Sequence, residues 1–159
     1  MYIDLIWFIS IENIAKESPW SERILNIIAF FDNKGIPFEL IKASIGSTCS
    51  ENKILLAISR LTDYSFLQVQ RAVDEGMPTY EQHRLVQLAT RCALSEAQFL
   101  SFSGEALKIM TDLFPIGTHE TRNSCILYLP HALKTAKRRQ AEGYQNQAPL
   151  LLQHMGRYY

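Results

Sequence analysis

Few residues in this sequence have the type and spacing to do chemistry. The four histidines, His83, His119, His131 and His154, show no HExxH pattern and no metal-ligand spacing with cysteine. Cys49, Cys92 and Cys125 are odd in number, far apart and form no CxxC pair. They read as three reduced thiols in an intracellular protein, not a disulfide framework. There is no GxxxxGK[ST] phosphate loop, no GxGxxG and no GxSxG elbow. Ser44-Ile45-Gly46-Ser47-Thr48 reads as a small polar loop, and Asp74-Glu75 as solvated turn carboxylates. No catalytic constellation emerges, and no enzymatic activity is expected of the chain by itself. His83 supports the sharpest chemical hypothesis. At the joint between a strand and a helix, a neutral imidazole can donate to a phosphate from one nitrogen while the protein holds the other. Its other role is that of a half-buried histidine satisfying local backbone, and on physics alone that role is the expected one.

The elements that must position His83 lie between Phe66 and Leu94. Phe66, Gln68 and Gln70 alternate with Leu67 and Val69, the period of a strand. Asp74-Glu75-Gly76 supplies a turn and Pro78 ends the loop. A short return strand follows, and then an amphipathic helix with Leu85, Leu88, Ala89 and Cys92 at helical spacing. Upstream, a helix is expected over Ile3–Lys16, with Leu5, Ile6, Phe8, Ile9 and Ile14 on its apolar face and Glu17-Ser18-Pro19 as its stop. A second helix covers Ser21–Phe31, with Ile24, Leu25, Ile27, Ile28 and Phe31 inside. After the turn Asp32-Asn33-Lys34-Gly35, Pro37 suits the first position of a short helix to Ala43. Ser50 can cap a helix to about Thr62, with Glu51 in its first turn and a buried stripe of Ile54, Leu55, Ile58 and Leu61.

Downstream, Ser95-Glu96-Ala97-Gln98 is a capping box. It opens a long helix with Phe99, Phe102, Ala106, Met110 and Leu113 on one face, ended by Pro115-Ile116-Gly117. Another helix starts near Thr118, turns Cys125, Ile126, Tyr128 and Leu129 inward, and should kink or break at Pro130. Residues 136–147 read as a polar linker or solvated helix. Ala148–Tyr159 turns apolar again and stops without a cap. Three helices followed by a two-stranded wing is the winged-helix plan, and the last helices read as antiparallel hairpins. The fold class is therefore mainly α, a winged helix with a small β-hairpin followed by TPR-like antiparallel helices. Three parts are expected: an N-terminal helix over 1–18, a winged-helix domain over 19–94 and a helical lead-in to repeats over 95–159. The N-terminal apolar run is interrupted by Asp4 and is far short of the roughly 20 residues of a membrane span. It also lacks a basic n-region and a cleavage site.

Charge argues against nucleic acid. Sixteen basic residues balance sixteen acidic ones over 159 residues, so no global field attracts a polyanion. Between Glu51 and Ser95 five basic residues face five acidic ones, and the helix before the hairpin offers a groove only Lys53 and Arg60. The basic residues Lys134, Lys137, Arg138 and Arg139 lie outside the wing and read as a solvated helix end. A stand-alone winged-helix DNA-binding regulator and a small helical interaction adaptor are the alternative functions. An exposed apolar face on Ala148–Tyr159 would favour the adaptor.

The ordered set WFISIENIAKESPWSERILNIIAFFDNKGIP, YEQHRLVQLATR and CILYLPHAL resembles a run in fungal STAND-type, NLR-like proteins. In these an NB-ARC nucleotide-binding domain precedes tetratricopeptide (TPR) repeats. Trp7, Ser10, Phe30-Phe31-Asp32, Gly35-Ile36-Pro37 and His83-Arg84-Leu85-Val86-Gln87 carry the resemblance. Ala148-Pro149-Leu150-Leu151 with Gly156-Arg157-Tyr158 resembles the start of a first repeat. The resemblance implies the winged helix and connector that follow the nucleotide-binding core, and a chain that is a piece of a larger cytoplasmic signalling protein. Gln82-His83-Arg84 resembles the MHD motif, whose histidine senses the diphosphate of ADP. Here glutamine stands for the methionine and arginine for the acid. The resemblance implies no cofactor in this chain alone, ADP or ATP in a full-length relative, a missing NTPase core in cis, protein partners through the repeats, and no membrane.

Overall fold

Ser18 closes one helix and opens the next. Its backbone N–H donates to the Ile14 carbonyl at the end of α1 (Tyr2–Glu17). Its side-chain oxygen accepts from the Ser21 N–H at the start of α2 (Pro19–Ile28). Pro19 costs nothing at this first position, where its missing N–H would have no helical partner. The Ser21 hydroxyl then donates to the Ala57 carbonyl, which fixes the start of α2 to a later helix. The computed structural model describes residues 2–70, 78–115, 118–137 and 147–158. Across these the order is α1, α2, β1 (Ile36–Pro37), α3 (Phe38–Ile45), α4 (Glu51–Asp63), β2 (Gln68–Gln70), β3 (Thr79–Glu81), α5 (Arg84–Ala93), α6 (Glu96–Leu113), α7 (Arg122–Ala136) and α8 (Gln147–Tyr158). The protein is mainly α with a small antiparallel sheet. The turn at Asp74-Glu75-Gly76, Ile116-Gly117, the basic residues Arg138 and Arg139, and Tyr159 lie outside the described residues.

The sheet has three strands, not the two of a lone hairpin, in the order β1-β3-β2. β3 pairs Tyr80 with Val69 on one side and with Ile36 on the other. Pro37 is therefore not the first residue of a helix. It sits in the edge strand and at the N-cap of α3 in extended backbone, a place where its lack of a donor is harmless. The strand expected from Phe66 begins only at Gln68, because Phe66 and Leu67 are both buried and belong to the end of α4. There Ser65 adopts a left-handed φ of 61°. The Phe66 N–H donates to the Leu61 carbonyl and the Ser65 N–H to the Thr62 carbonyl, which is a Schellman ending with serine in the usual glycine position.

α2 is the centre of the packing and touches α1, α3, α4, α5 and α6. Ile24, Leu25, Ile27 and Ile28 are fully buried in one continuous core running from Ile11 to Met155. α6, α7 and α8 pack on one another, and α6 lies against α2 and α3. The capping box forms as expected: Ser95 accepts from the Gln98 N–H, and the Gln98 side chain accepts from the Ser95 N–H.

Several expected inward faces are turned otherwise. In α1 the buried residues are Ile11 and Ile14, while Leu5, Ile6 and Ile9 are exposed, Ile6 by 62%. In α4 Ala57 takes the inward place expected of Leu55. In α5 Val86, Gln87, Ala89 and Thr90 face in, while Leu85, Leu88 and Cys92 face out. α7 starts at Arg122 after a turn held by Thr118 and Thr121. It leaves Ile126 exposed and continues past Pro130 to Ala136. Ser50 occupies the N-cap of α4 without a side-chain bond. Its carbonyl accepts from Lys53 and Ile54 instead.

Candidate functional site

β3 ends at Glu81 and α5 begins at Arg84, so Gln82 and His83 form the joint. His83 is the N-cap of α5, and its Nδ1 accepts from the Leu85 N–H at 3.1 Å. A backbone N–H can only donate, so the neutral ring carries its proton on Nε2. The residue is exposed. One nitrogen satisfies local backbone, as expected of the local role, but on an exposed and not a half-buried residue; the other carries the ring's proton. Arg84, the next residue, is also exposed. Gln82 is fully buried, and neither end of its side-chain amide has a hydrogen-bond partner among the described residues. Its backbone N–H donates to the Asn33 carbonyl at 2.8 Å. An unpaired buried amide costs about 1–3 kcal/mol, so this joint is held at some expense in stability.

The turn on the other side of that bond is gripped by a histidine that sequence patterns do not single out. His131 of α7 is 1% exposed. Its Nδ1 accepts from the Asp32 N–H at 3.2 Å, and its Nε2 lies 3.0 Å from the Gly35 carbonyl. The Asp32 N–H fixes the tautomer, so Nε2–H is the donor to Gly35. Phe31 meets the ring edge-on. Burial pushes the His131 imidazole below its ordinary pKa, against smaller opposing effects of the Gly35 bond and the Asp32 charge. Only the pairing of this side chain with a turn 96 residues earlier reveals its role.

The face of α4 that a groove-reading helix would present carries exposed Leu55 and Leu56. Arg60 there is paired with Glu17 at 3.3 Å, and Glu17 also accepts from the Tyr64 hydroxyl. Among the described residues no group of three or more His, Cys, Asp or Glu side chains is gathered as for a metal. Cys49, Cys92 and Cys125 are free thiols. No helix among the described residues is long and apolar enough to cross a membrane.

Comparison with known proteins gives one informative match. The chain is 36% identical over 155 residues to a nucleotide-binding leucine-rich repeat (NLR)-like protein of Hyaloscypha variabilis. The match covers 96% of this chain but 15% of that protein, so the chain spans a small part of its relative. The similarity supports an NLR-like origin. The repeats in that name are leucine-rich, not tetratricopeptide. No family model matches the chain, and no solved structure does.

Proposed function

We propose that this chain is the winged-helix and connector segment of an NLR-like signalling protein. It would relay the nucleotide state of an upstream NB-ARC core to a downstream repeat array. The observation that carries this reading is the match along 96% of the chain to an NLR-like protein. The order α2-β1-α3-α4-β2-β3 fits a winged-helix unit whose wing is β2 and β3, and α6–α8 fit the helical lead-in to repeats. In this reading the relay is a rigid-body motion of the whole unit, which the continuous core supports. His83 donates from Nε2 to the terminal phosphate of ADP in the core, and its Nδ1 bond to Leu85 holds the ring for that contact. The chain supplies no catalysis, works in the cytoplasm and meets protein partners through the repeats.

The test is ADP affinity in the full-length relative that carries this segment. Replacing His83 with Ser keeps an oxygen that can cap α5 but is too short to reach a phosphate. ADP should bind about tenfold more weakly, the worth of one charge-assisted hydrogen bond, with the melting temperature unchanged. Unchanged ADP affinity would overturn the sensor role. One observation favours the helical adaptor as a second reading: Leu150 and Leu152 of α8 are exposed, as are Ile126, Leu127 and Leu133 of α7.

A further inference from the structure

We propose that a cleft between α5, the Asp32–Gly35 turn and α7 binds a phosphate group, either free or as the head of a small monoester. The cleft encloses about 220 Å³ and is lined by Phe31, Asn33, Arg84, Gln87, Arg91 and Lys134. Three of these six side chains are cationic and none is acidic. In a chain with balanced charge this local excess comes from folding, since Arg84 and Arg91 lie on α5 and Lys134 on α7. Arg84 and Lys134 are exposed and enter no ion pair among the described residues.

Asn33 is an independent pointer to a ligand. It is 8% exposed, and its side-chain amide makes no hydrogen bond among the described residues. The amide is not sealed from solvent but opens into the cleft that it lines. Lining a cationic cleft, its NH₂ can donate to an anion's oxygen. The backbone beneath it is fixed from both sides, by the Gln82 N–H on the Asn33 carbonyl and by His131 on Asp32 and Gly35. The floor is equally rigid. The Gln87 amide donates to the Ile28 and Phe31 carbonyls, and Arg91 donates to the Ala29 carbonyl. Preorganised donors of this kind, with arginine forks and a lysine point charge, suit the tetrahedral oxygens of a phosphate. The volume is below that of pockets for drug-sized ligands, so the cleft takes a phosphate head and not a whole nucleotide. His83 precedes Arg84 but does not line the cleft, and the proposal stands apart from the ADP reading. Because the donors come from both α5 and α7, an occupant would tie the sheet-bearing unit to the C-terminal helices.

The test is a titration of the 159-residue chain with inorganic phosphate at constant ionic strength, followed by ¹H–¹⁵N NMR of the Asn33 side-chain amide. Constant ionic strength removes the general screening of surface charge. Saturable binding that moves the Asn33 amide is expected. The double variant Arg84→Ala, Lys134→Ala alters only exposed residues, so it should fold as the parent does and bind about tenfold or more weakly. A parallel titration with phenyl phosphate separates the sources: tighter binding than inorganic phosphate assigns a monoester head, weaker binding the free anion. A response that never saturates, or an unchanged affinity in the double variant, would overturn the proposal.

Discussion

His131 and Gln82 are two buried polar residues with opposite fates. His131 has a partner for each ring nitrogen and bridges α7 to the Asp32–Gly35 turn. Gln82 has a partner for neither side-chain atom among the described residues. The satisfied residue makes a pH prediction. Burial lowers the His131 pKa in the folded chain, while the unfolded chain titrates near the ordinary value of about 6.5. Below that value the unfolded state takes up a proton that the folded state resists, so stability falls as pH drops. It is fully present above about 6.5 and declines below it with a slope of up to about 1.4 kcal/mol per pH unit, until the folded ring also protonates. The cause is burial, which penalises the charged ring; a protonated Nδ1 would also lose its bond from the Asp32 N–H. Urea unfolding of the parent and of His131→Phe between pH 7.5 and about 5 checks this. The variant should be less stable at neutral pH by about 2 kcal/mol, from two backbone groups left unpaired. It should also lack the parent's extra slope below pH 6.5. A slope identical in the two proteins would remove His131 from the explanation.

At the scale of elements, the ending of α4 decides where the hairpin begins. Ser65 holds a left-handed conformation that a side chain disfavours and glycine does not. Ser65→Gly should therefore raise stability by about 1 kcal/mol, read as a higher urea midpoint at unchanged m-value. A lower midpoint would show that flexibility gained by the unfolded chain outweighs the relieved strain. This ending was hidden in the sequence because Ser65-Phe66-Leu67 contains no glycine to mark it. The alternation from Phe66 then read as strand, while both Phe66 and Leu67 are buried. Features with local chemistry were legible: the capping box at Ser95, the break at Ser18, and the inward residues of α2. β1 was not, since a two-residue strand has no period of its own and exists only through pairing with β3. Nor were the inward faces of α1 and α5. Leu85 and Leu88 have the right spacing but the wrong side, because Val86, Ala89 and Thr90 form the buried face of α5, which packs on α1 and α2. His83 was legible as the joint of strand and helix. The cationic cleft was not, since Asn33, Arg84 and Lys134 meet only through long-range packing.

For the whole molecule, the question is whether the sheet-bearing unit and the C-terminal helices unfold together. A relay by rigid-body motion needs a unit that does not come apart, and the packing answers in physical terms. α6 rests on α2 and α3, Phe30 meets Phe99 edge-on at 5.0 Å, and Arg23 of α2 pairs with Glu105 of α6 while donating to the Ser44 carbonyl. Leu107, 2% exposed in the middle of α6, is part of the same core cluster as Ile14 of α1. Both tryptophans of the chain, Trp7 and Trp20, lie in α1 and α2. Their fluorescence therefore reports the N-terminal end, while far-ultraviolet circular dichroism reports all helices. Leu107→Ala should cost about 2–5 kcal/mol by opening a cavity in a packed core. If the core is one cooperative unit, the fluorescence and dichroism transitions coincide in the parent and shift together in the variant. If the tryptophan transition stayed in place while the dichroism transition moved, α6–α8 would unfold separately. A ligand bridging α5 and α7 would then have a joint to stiffen, not a single body to hold.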